Sequence, residues 1–304
     1  MLFYNILRYN LNMNFRLQNI FKKEKKTHFE EVLIRDNFYQ TSSFFPMPVT
    51  LISTISDSGQ TNIGAYSLCF PHIISGKHAM ILISRGSSNT AQNILKRKTV
   101  AINFIPDDKK YMKNCVELGY PGESTEEKMK HSIFTLIPCF REAENEVFPQ
   151  VVKEAIQIFE CRWDDSFPYK INEAEYHFVL RIEKIIMQKE WKDALEEGGK
   201  FPPLPVDYGF REGIHFWFSD FNTPYAVDVP NHKQTDVERI VYLANRIDPT
   251  VQWDWEACEK LKKVPRIFLQ KVLKGIVAEA KKQGRTQVTA SFMDELNASK
   301  KNGK

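Results

Sequence analysis

The stretch that decides the fold is "PMPVTLISTISDSGQTNIGAYSLCF", residues 46–70. It contains a β-branched run, then a short segment with Asp, Ser and Gly, then a second β-rich run. This order is typical of two antiparallel strands joined by a tight turn. The stretch therefore predicts a β-hairpin at the start of a mainly β region.

More strand-like runs follow the hairpin. They are "AMILIS", "TVAINFI", "AIQIFECRW" and "YHFVLRIEKIIM", starting at residues 79, 99, 155 and 176. The sequence predicts a short helix at about 90–98, between the first two. Short strands separated by turn signals are typical of a barrel or a sandwich. We therefore predict a mainly β domain over residues 36–190, preceded by an N-terminal extension over 1–35.

The composition is that of an ordinary globular protein, with 304 residues, 42% hydrophobic residues and a net charge of +4. No run of 18 apolar residues indicates a membrane span, and we find no secretory signal in the first residues. Residues 1–12 are either a native extension or lie ahead of a true start at Met13, and both alternatives stay open. The five cysteines are scattered without a CxxC pair. This spacing argues against a disulfide framework or a zinc site and predicts a reducing cytoplasm.

The C-terminal third has a different character. Residues 191–248 are rich in Pro, Gly and aromatic residues, and we interpret them as a connector that packs on the barrel. Helical spacing begins near residue 235, and Pro265 and Gly284 flank one long helix. We assign residues 249–304 to a small all-α module. Its positive charge is consistent with nucleic-acid binding, but acidic partners on the same helices favour a solvated surface.

The first candidate site is "SRGSSNTAQNI", residues 84–94, where a strand passes into a helix. A helix that begins near Asn89 exposes unpaired N–H groups and the positive end of its dipole, which suit an anion. Asn89 and Gln92 also form a pair like a capping box. The neighbouring donors are Ser84, Arg85, Ser87, Ser88 and Thr90. From the residues alone, a phosphate site and an ordinary capped loop both stay open.

The second candidate site is the hairpin itself. Its strands carry polar side chains where an apolar pattern is expected, namely Ser53, Thr54, Asn62 and Ser67. Gly64 and Ala65 are small enough to let a ligand approach the backbone closely. A flat ring lying against such a strand is one interpretation, and an edge strand with a polar face is the other.

Taken together, the ordered segments resemble the flavin reductase-like family of FMN-binding split barrels. The resemblance runs from the hairpin through "AMILISRGSSNTAQNI" and "VAINFI" to the two later strands, over about residues 38–190. It implies a mainly β split barrel with short helices, FMN as cofactor, NADH or NADPH as an electron donor in some members, and a homodimer. It places Ser53 and Thr54 beside the isoalloxazine or ribityl chain. The other implied FMN contacts are Asn62, Ala65 and Ser67 at the ring edge, Ser84, Arg85 and Thr90 at the phosphate, and Asn93 in the same pocket.

The tail, "WDWEACEKLKKVPRIFLQKVLKGIVAEAKKQGRTQVTASFMDEL", residues 253–296, has a separate resemblance. It is similar to the helical module at the C-terminus of a light-independent protochlorophyllide reductase subunit. Because that module also occurs outside chlorophyll synthesis, the resemblance does not imply that substrate.

The sequence therefore predicts a flavin-dependent oxidoreductase that moves electrons between a nicotinamide donor and flavin or another acceptor. The first alternative is an FMN-carrying electron-transfer protein that serves a protein redox partner. The second is a non-enzymatic binding module whose tail contacts nucleic acid. The histidines lack ligand spacing, so we expect no metal. No side chain is identified as catalytic, and neither the donor, the acceptor nor the pathway is specified.

Overall fold

The computed structural model describes residues 28–119, 122–141, 147–198, 200–211, 215–219, 224–225 and 237–302. The chain divides into two compact units, residues 1–224 and 225–304. Most of the predicted N-terminal extension, including residues 1–12, lies outside the described residues.

The first unit is built mainly on β-strands. They are β1 (Met47–Pro48), β2 (Thr50–Ile55), β3 (Thr61–Tyr66), β4 (Cys69–Ile73), β5 (Ala79–Arg85), β6 (Thr99–Phe104), β7 (Leu136–Ile137), β8 (Val151–Val152), β9 (Gln157–Trp163), β10 (Glu175–Met187), β11 (Val206–Arg211) and β12 (His215–Phe218). The helices of this unit are α1 (Phe38–Thr41), α2 (Asn89–Arg97), α3 (Lys109–Gly119), α4 (Thr125–Met129) and α5 (Lys189–Glu197).

The predicted hairpin is present. β2 and β3 pair antiparallel, with Thr54 opposite Asn62 and Ile52 opposite Gly64. The turn between them has Gly59 at φ +82°, a left-handed conformation that favours glycine. The second run of the hairpin is not one strand, however. It breaks after Tyr66, and β4 pairs with β5 instead of continuing along β2.

This break closes the sheet into a barrel. The seven-stranded sheet has the order β3-β2-β6-β9-β10-β5-β4, so β3 and β4 form its two edges. In a flat sheet, edges six spacings apart are separated by about 29 Å. The chain passes from β3 to β4 through Ser67 and Leu68 alone, and three Cα–Cα steps reach only about 11 Å. The sheet must therefore curl until its edges meet, which is the predicted split barrel.

Helix α2 packs against one face of the curled sheet. Its buried Ala91 and Ile94 share a core with apolar side chains of β2, β5 and β6, including Ile52, Leu82 and Ile102. The opposite face holds a second core, which α3 contributes to through Met112, Cys115 and Leu118. Because side chains alternate along a strand, each position of β2 and β3 belongs to one face or the other.

The predicted connector contributes a small sheet of its own. β11 pairs with β1 on one side and with β12 on the other. Phe218 packs against the core beside α3, whereas Phe216 and Trp217 are exposed. Residues 212–214, 220–223 and 226–227 of the aromatic stretch lie outside the described residues.

The second unit is helical apart from one short strand pair. Its elements are α6 (Val237–Ile247), β13 (Gln252–Trp253), α7 (Trp255–Glu259), α8 (Arg266–Lys282), β14 (Gln287–Val288) and α9 (Ala290–Asn302). Pro265 immediately precedes α8, and Gly284 follows it at φ +66°. Ile240 and Ala244 of α6 are buried in the same core as Leu273 and Phe292. This unit therefore begins before residue 249, where the sequence places its start.

None of the helices among the described residues is both long and apolar enough to cross a membrane.

Candidate functional site

The N-terminus of α2 lies where the barrel closes. The Tyr66 hydroxyl, on edge strand β3, is 2.8 Å from Ser84 Oγ on β5, and Ser84 Oγ is 2.9 Å from Ser88 Oγ. Ser88 caps the helix, because its Oγ accepts a hydrogen bond of 3.0 Å from the Ala91 N–H. Three hydroxyls therefore fix the start of α2 to both sides of the closure.

The predicted capping pair of Asn89 and Gln92 is wrong. Asn89 lies one residue inside the helix, and its side-chain amide donates to the Glu123 carbonyl at 2.9 Å. Gln92 Nε2 donates to the Gly86 carbonyl at 2.7 Å. Ser88, one position earlier, is the N-cap instead, because its short side-chain hydroxyl reaches the third N–H of the helix. Asn89 is left free to hold the segment ahead of α4.

Four of the predicted site residues form one buried network. Thr54 Oγ1 accepts from Asn62 Nδ2 at 3.3 Å and from Asn93 Nδ2 at 3.1 Å. Asn62 Nδ2 also lies 3.3 Å from Thr90 Oγ1. All four side chains are at most 7% exposed. The network ties the first two turns of α2 to β2 and β3 through polar side chains that a sequence pattern alone would place in an apolar core.

Gly64 permits this close packing. A Cβ atom at Gly64 would lie 2.7 Å from Thr90 Oγ1 and 2.8 Å from a ring carbon of Tyr66. Both distances are shorter than real Cβ contacts, so any larger residue would push α2 away from β3. Gly64 therefore makes room for α2 and does not leave open space against β3.

The N-terminus of α2 retains free hydrogen-bond donors. Ser88 satisfies the N–H groups of Ala91 and Gln92. The N–H groups of Asn89 and Thr90 have no acceptor within the described part of the chain. An anion placed there would also interact with the positive end of the helix dipole.

Arg85 stands at the rim of this end. It is exposed, and its guanidinium makes no hydrogen bond or ion pair within the described residues. Ser84, in contrast, is only 4% exposed and its hydroxyl is already bonded to Tyr66 and Ser88. Of the three predicted phosphate ligands, Arg85 has free donors, Thr90 has a free N–H group, and Ser84 supports the closure.

A lysine that the sequence reasoning missed lies on α4. Lys128 is only 7% exposed. Burial lowers the pKa of its ammonium to about 8, and the nearby Glu123 carboxylate opposes this shift. In the sequence it lies within "STEEKMKHS", which has the charge pattern of a solvated helix surface. The tertiary packing of α4 on β3 is what buries it.

The remaining predicted residues lie elsewhere. Ser53 and Ala65 belong to the opposite face of the hairpin, where Ser53 Oγ accepts from Asn103 Nδ2 at 2.9 Å and Ala65 packs beside α3. Their roles at the ring stay predictions. Ser67 lies in the crossing between β3 and β4, and its hydroxyl donates to Asp207 Oδ2. Burial raises the pKa of Asp207, a β11 residue that no sequence pattern singled out.

The buried thiols are poor candidates for redox chemistry. Cys69 and Cys115 are buried, and burial raises the pKa of each thiol to about 12. Neither is therefore a thiolate near neutral pH, and the interpretation of Cys69 as a structural cysteine fits this environment. The described residues also contain no group of three or more His, Cys, Asp or Glu side chains that could hold a metal ion.

The family profile described as "Flavin reductase like domain" matches residues 42–203, more than half of the chain. The chain belongs to the flavin reductase-like family. This membership assigns it to flavin-related oxidoreductases, and the matched region includes the hairpin, α2, α4 and β5. It confirms the predicted family for the barrel, but it ends before the second unit. The likeness of the tail to a protochlorophyllide reductase module stays a prediction.

Solved structures confirm the split-barrel fold. The chain resembles flavoredoxin from Methanosarcina acetivorans at 18% identity and a TM-score of 0.50, covering 66% of this chain and 96% of that one. It resembles 2-nitrobenzoate 2-nitroreductase from Pseudomonas fluorescens at 16% identity and a TM-score of 0.50, covering 68% and 100%. It also resembles nitrilotriacetate monooxygenase component B from Bacillus cereus at 15% identity and a TM-score of 0.50, covering 66% and 100%. No curated protein sequence matches the chain.

Proposed function

We propose that this flavin reductase-like protein is an FMN-dependent oxidoreductase that binds the flavin phosphate at the N-terminus of α2. The observation that carries the proposal is the pair of free N–H groups on Asn89 and Thr90 at a helix end fixed to the barrel closure. An anion of phosphate size fits such a helix end. Arg85 adds a free guanidinium at the rim, with a fork geometry suited to phosphate oxygens.

The chemistry would come from the flavin, which accepts a hydride or single electrons and passes them on. This chain's own part is to bind and orient the cofactor. The network of Thr54, Asn62, Thr90 and Asn93 holds α2 rigidly against the hairpin, so that the phosphate site keeps a fixed position relative to β2 and β3. A fixed phosphate limits where the ribityl chain and the ring lie.

We infer a nicotinamide donor, NADH or NADPH, with flavin or another molecule as acceptor. The alternative is an FMN-carrying electron-transfer protein that exchanges electrons with a protein partner and has no nicotinamide activity. The structural neighbours named as a flavoredoxin and as a nitroreductase give different activities in their names. At their identity they support the fold alone, so they do not choose between the two functions.

Two measurements on the purified full chain test this proposal. The absorbance spectrum, together with quenching of FMN fluorescence on titration, tests flavin binding. A colourless protein that leaves FMN fluorescence unchanged would overturn the proposal. Stopped-flow mixing of the FMN-loaded protein with NADH or NADPH then separates the alternatives. Rapid bleaching of the flavin absorbance supports the oxidoreductase, and no bleaching supports the electron carrier.

We also propose that the protein is a homodimer. Exposed aromatic side chains near the small sheet support this, since Phe44 is 83% exposed and Trp217 is 48% exposed. A second copy would remove such apolar area from water. Light scattering at micromolar concentration tests the proposal, and a mass near the 35.5 kDa of one chain would contradict it.

The second unit is proposed to act outside the flavin site, as a module similar to that of the protochlorophyllide reductase subunit. It contributes a net positive charge of its own and could dock an acidic redox partner.

The unpaired cysteines, all of them described and none of them in a disulfide, support a reducing compartment, for which we propose the cytoplasm. Direct nucleic-acid binding would appear as a salt-dependent mobility shift, which we do not expect.

A further inference from the structure

A pocket of about 460 Å³ lies between α3 and β12 of the first unit. This volume is within the range of about 300–1,000 Å³ that is typical of small-molecule sites. No residue of the polar network at α2 lines it. In addition, α3 belongs to the core on the face of the sheet opposite α2. The pocket is therefore a second candidate site, built from residues that the proposed phosphate site does not use.

β12 supplies an aromatic wall of this pocket. Phe216, Trp217 and Phe218 follow one another along the strand and all line the pocket. Phe218 packs into the core beside α3, whereas Phe216 is 39% exposed and Trp217 is 48% exposed. The Phe216 ring packs against Phe210 of β11, with the ring centroids 5.1 Å apart. Exposed rings held in this way by a sheet offer flat apolar surface against which a second ring can pack.

The facing wall comes from α3, which presents two rows of side chains. Met112 and Val116 are four residues apart, and so are Lys109 and Lys113. Residues four apart lie on the same helix face, so an apolar row runs beside a basic row. Methionine adapts its shape to a ligand more readily than branched side chains do. The wall therefore suits a ligand with an apolar body and one polar group.

The charges of the lining favour an anion as that polar group. Lys109 and Lys113 are positive, and Asp107 is the single acidic residue that lines the pocket, so the positive charges prevail. Lys113 is exposed, and it makes no hydrogen bond or ion pair within the part of the chain that the structure describes. Its ammonium therefore has donors to offer to an acid group of a ligand.

We propose that this pocket binds a planar aromatic acid, with its ring between the aromatic wall and the apolar row of α3 and its acid group on Lys113. The apolar surfaces supply affinity, and the lysine fixes the orientation of the ligand. This inference goes beyond the proposed function and does not depend on flavin binding.

The test is calorimetric titration of the full chain with 2-naphthoate and with 2-naphthylmethanol, which share a ring system but differ in charge. We expect a three- to fivefold preference for naphthoate, or about 1 kcal/mol at most, as is usual for an exposed ion pair. Lys113→Met should abolish this preference, and Lys113→Arg should retain it. Lys110→Met is the matched control, because Lys110 is exposed on the same helix and its ammonium lies 4.8 Å from the centroid of the Tyr111 ring.

The aromatic wall is tested with Trp217→Ala. We expect this variant to bind both naphthalene compounds about 3- to 10-fold more weakly, because both lose the same ring contact. Trp255→Ala is the matched control, because Trp255 is 47% exposed and belongs to the second unit. It should leave both affinities unchanged.

Several outcomes would overturn the inference. Among them are no saturable binding of naphthoate at millimolar concentration, equal binding of the two compounds, and equal effects of Trp217→Ala and Trp255→Ala. A naphthoate affinity that falls as the protein concentration rises would show that a second copy covers the pocket instead. Displacement of naphthoate by saturating FMN would place the probe in the flavin site. A protein that binds naphthoate with the expected preference but no FMN would contradict the proposed function alone.

Discussion

The hydroxyl of Tyr66 and Oγ of Ser84 lie 2.8 Å apart and join β3 to β5 across the closure of the barrel. β3 is one edge of the seven-stranded sheet, and β5 is next to the other edge. The pair therefore links strands that are far apart in sheet order. The same tyrosine hydroxyl lies 3.2 Å from Ser88, the cap of α2. One side chain thus connects the closure of the fold with the proposed phosphate site.

Tyr66→Phe should modestly weaken both the closure of the barrel and the proposed phosphate site. It removes one hydroxyl, but Ser84 and Ser88 still bond each other. We expect the free energy of unfolding to fall by about 1 kcal/mol, measured by urea denaturation. A double-mutant cycle with Ser84→Ala should show coupling of the two residues. Strictly additive losses would mean that the contact does not contribute to closure.

Thr54→Val should cost more stability than its change in shape suggests. Valine has nearly the volume of threonine but cannot accept the hydrogen bonds from the amides of Asn62 and Asn93. Asn62 keeps a second acceptor in Thr90, but Asn93 is left with an unpaired buried donor. We expect a loss of about 1–3 kcal/mol in the free energy of unfolding. Thr54→Ser keeps the hydroxyl and should lose less; if it loses as much as Thr54→Val, packing rather than hydrogen bonding is responsible.

Gly64→Ala should displace α2 from β3. The added methyl group would overlap Thr90 Oγ1 and the Tyr66 ring. We expect a loss of about 1–3 kcal/mol in stability and weaker binding of both FMN and riboflavin, since the site moves as a whole. Gly275→Ala, in helix α8 with open space around it, is the control and should raise stability by about 0.5–1 kcal/mol. An unchanged Gly64→Ala protein would contradict the close packing of α2 on β3.

Arg85→Ala should have a small and salt-dependent effect. Because the guanidinium is exposed and unpaired within the described residues, its removal should leave the melting temperature unchanged. We expect FMN binding to weaken a few fold at low salt and hardly at all at 0.5 M salt. Riboflavin binding should not change. A loss of FMN affinity that persists at high salt would show that Arg85 contacts the phosphate directly, out of reach of solvent screening.

The titration of Lys128 gives a stability signature in alkaline solution. Its pKa is about 8 in the folded protein and about 10.4 in an unfolded chain. The unfolded state therefore holds more protons between these values, and stability rises with pH through this window. The free-energy penalty of burying the charged Lys128 ammonium is complete below about pH 8 and absent above about pH 10.4. Lys128→Met lacks this group, so its stability advantage over the wild-type protein, at most about 3 kcal/mol, should shrink from pH 8 to 10. A constant difference would mean that burial does not lower the pKa of Lys128.

A chain shortened to residues 1–224 should fold and bind flavin as the full chain does. The proposed site lies wholly in the first unit, and the structure moves the end of that unit from residue 248 to 224 because α6 belongs to the second core. Titration with FMN and a melting curve test this. Loss of FMN affinity in a folded shortened chain would show that the second unit contributes to the site.

The sequence by itself determined the strands, the hairpin, the position of α2 and the polar residues that lie in it. These follow from local causes: β-branched alternation, a turn glycine, and the small polar residues that cap a helix. They are enough to identify the family, because the order of such segments along the chain is what a family profile matches. The extent of α8, which begins after Pro265 and ends before Gly284, is likewise set by the local sequence.

The tertiary structure alone decided which of the predicted residues share a surface. Thr54 and Asn62 meet α2, whereas Ser53 and Ala65 lie on the opposite face of the hairpin, because side chains alternate along a strand. It also decided that Ser88 rather than Asn89 caps α2. Lys128 shows the physical reason best: its charge pattern along the chain is that of an exposed helix. Only the packing of α4 on β3 buries most of the residue.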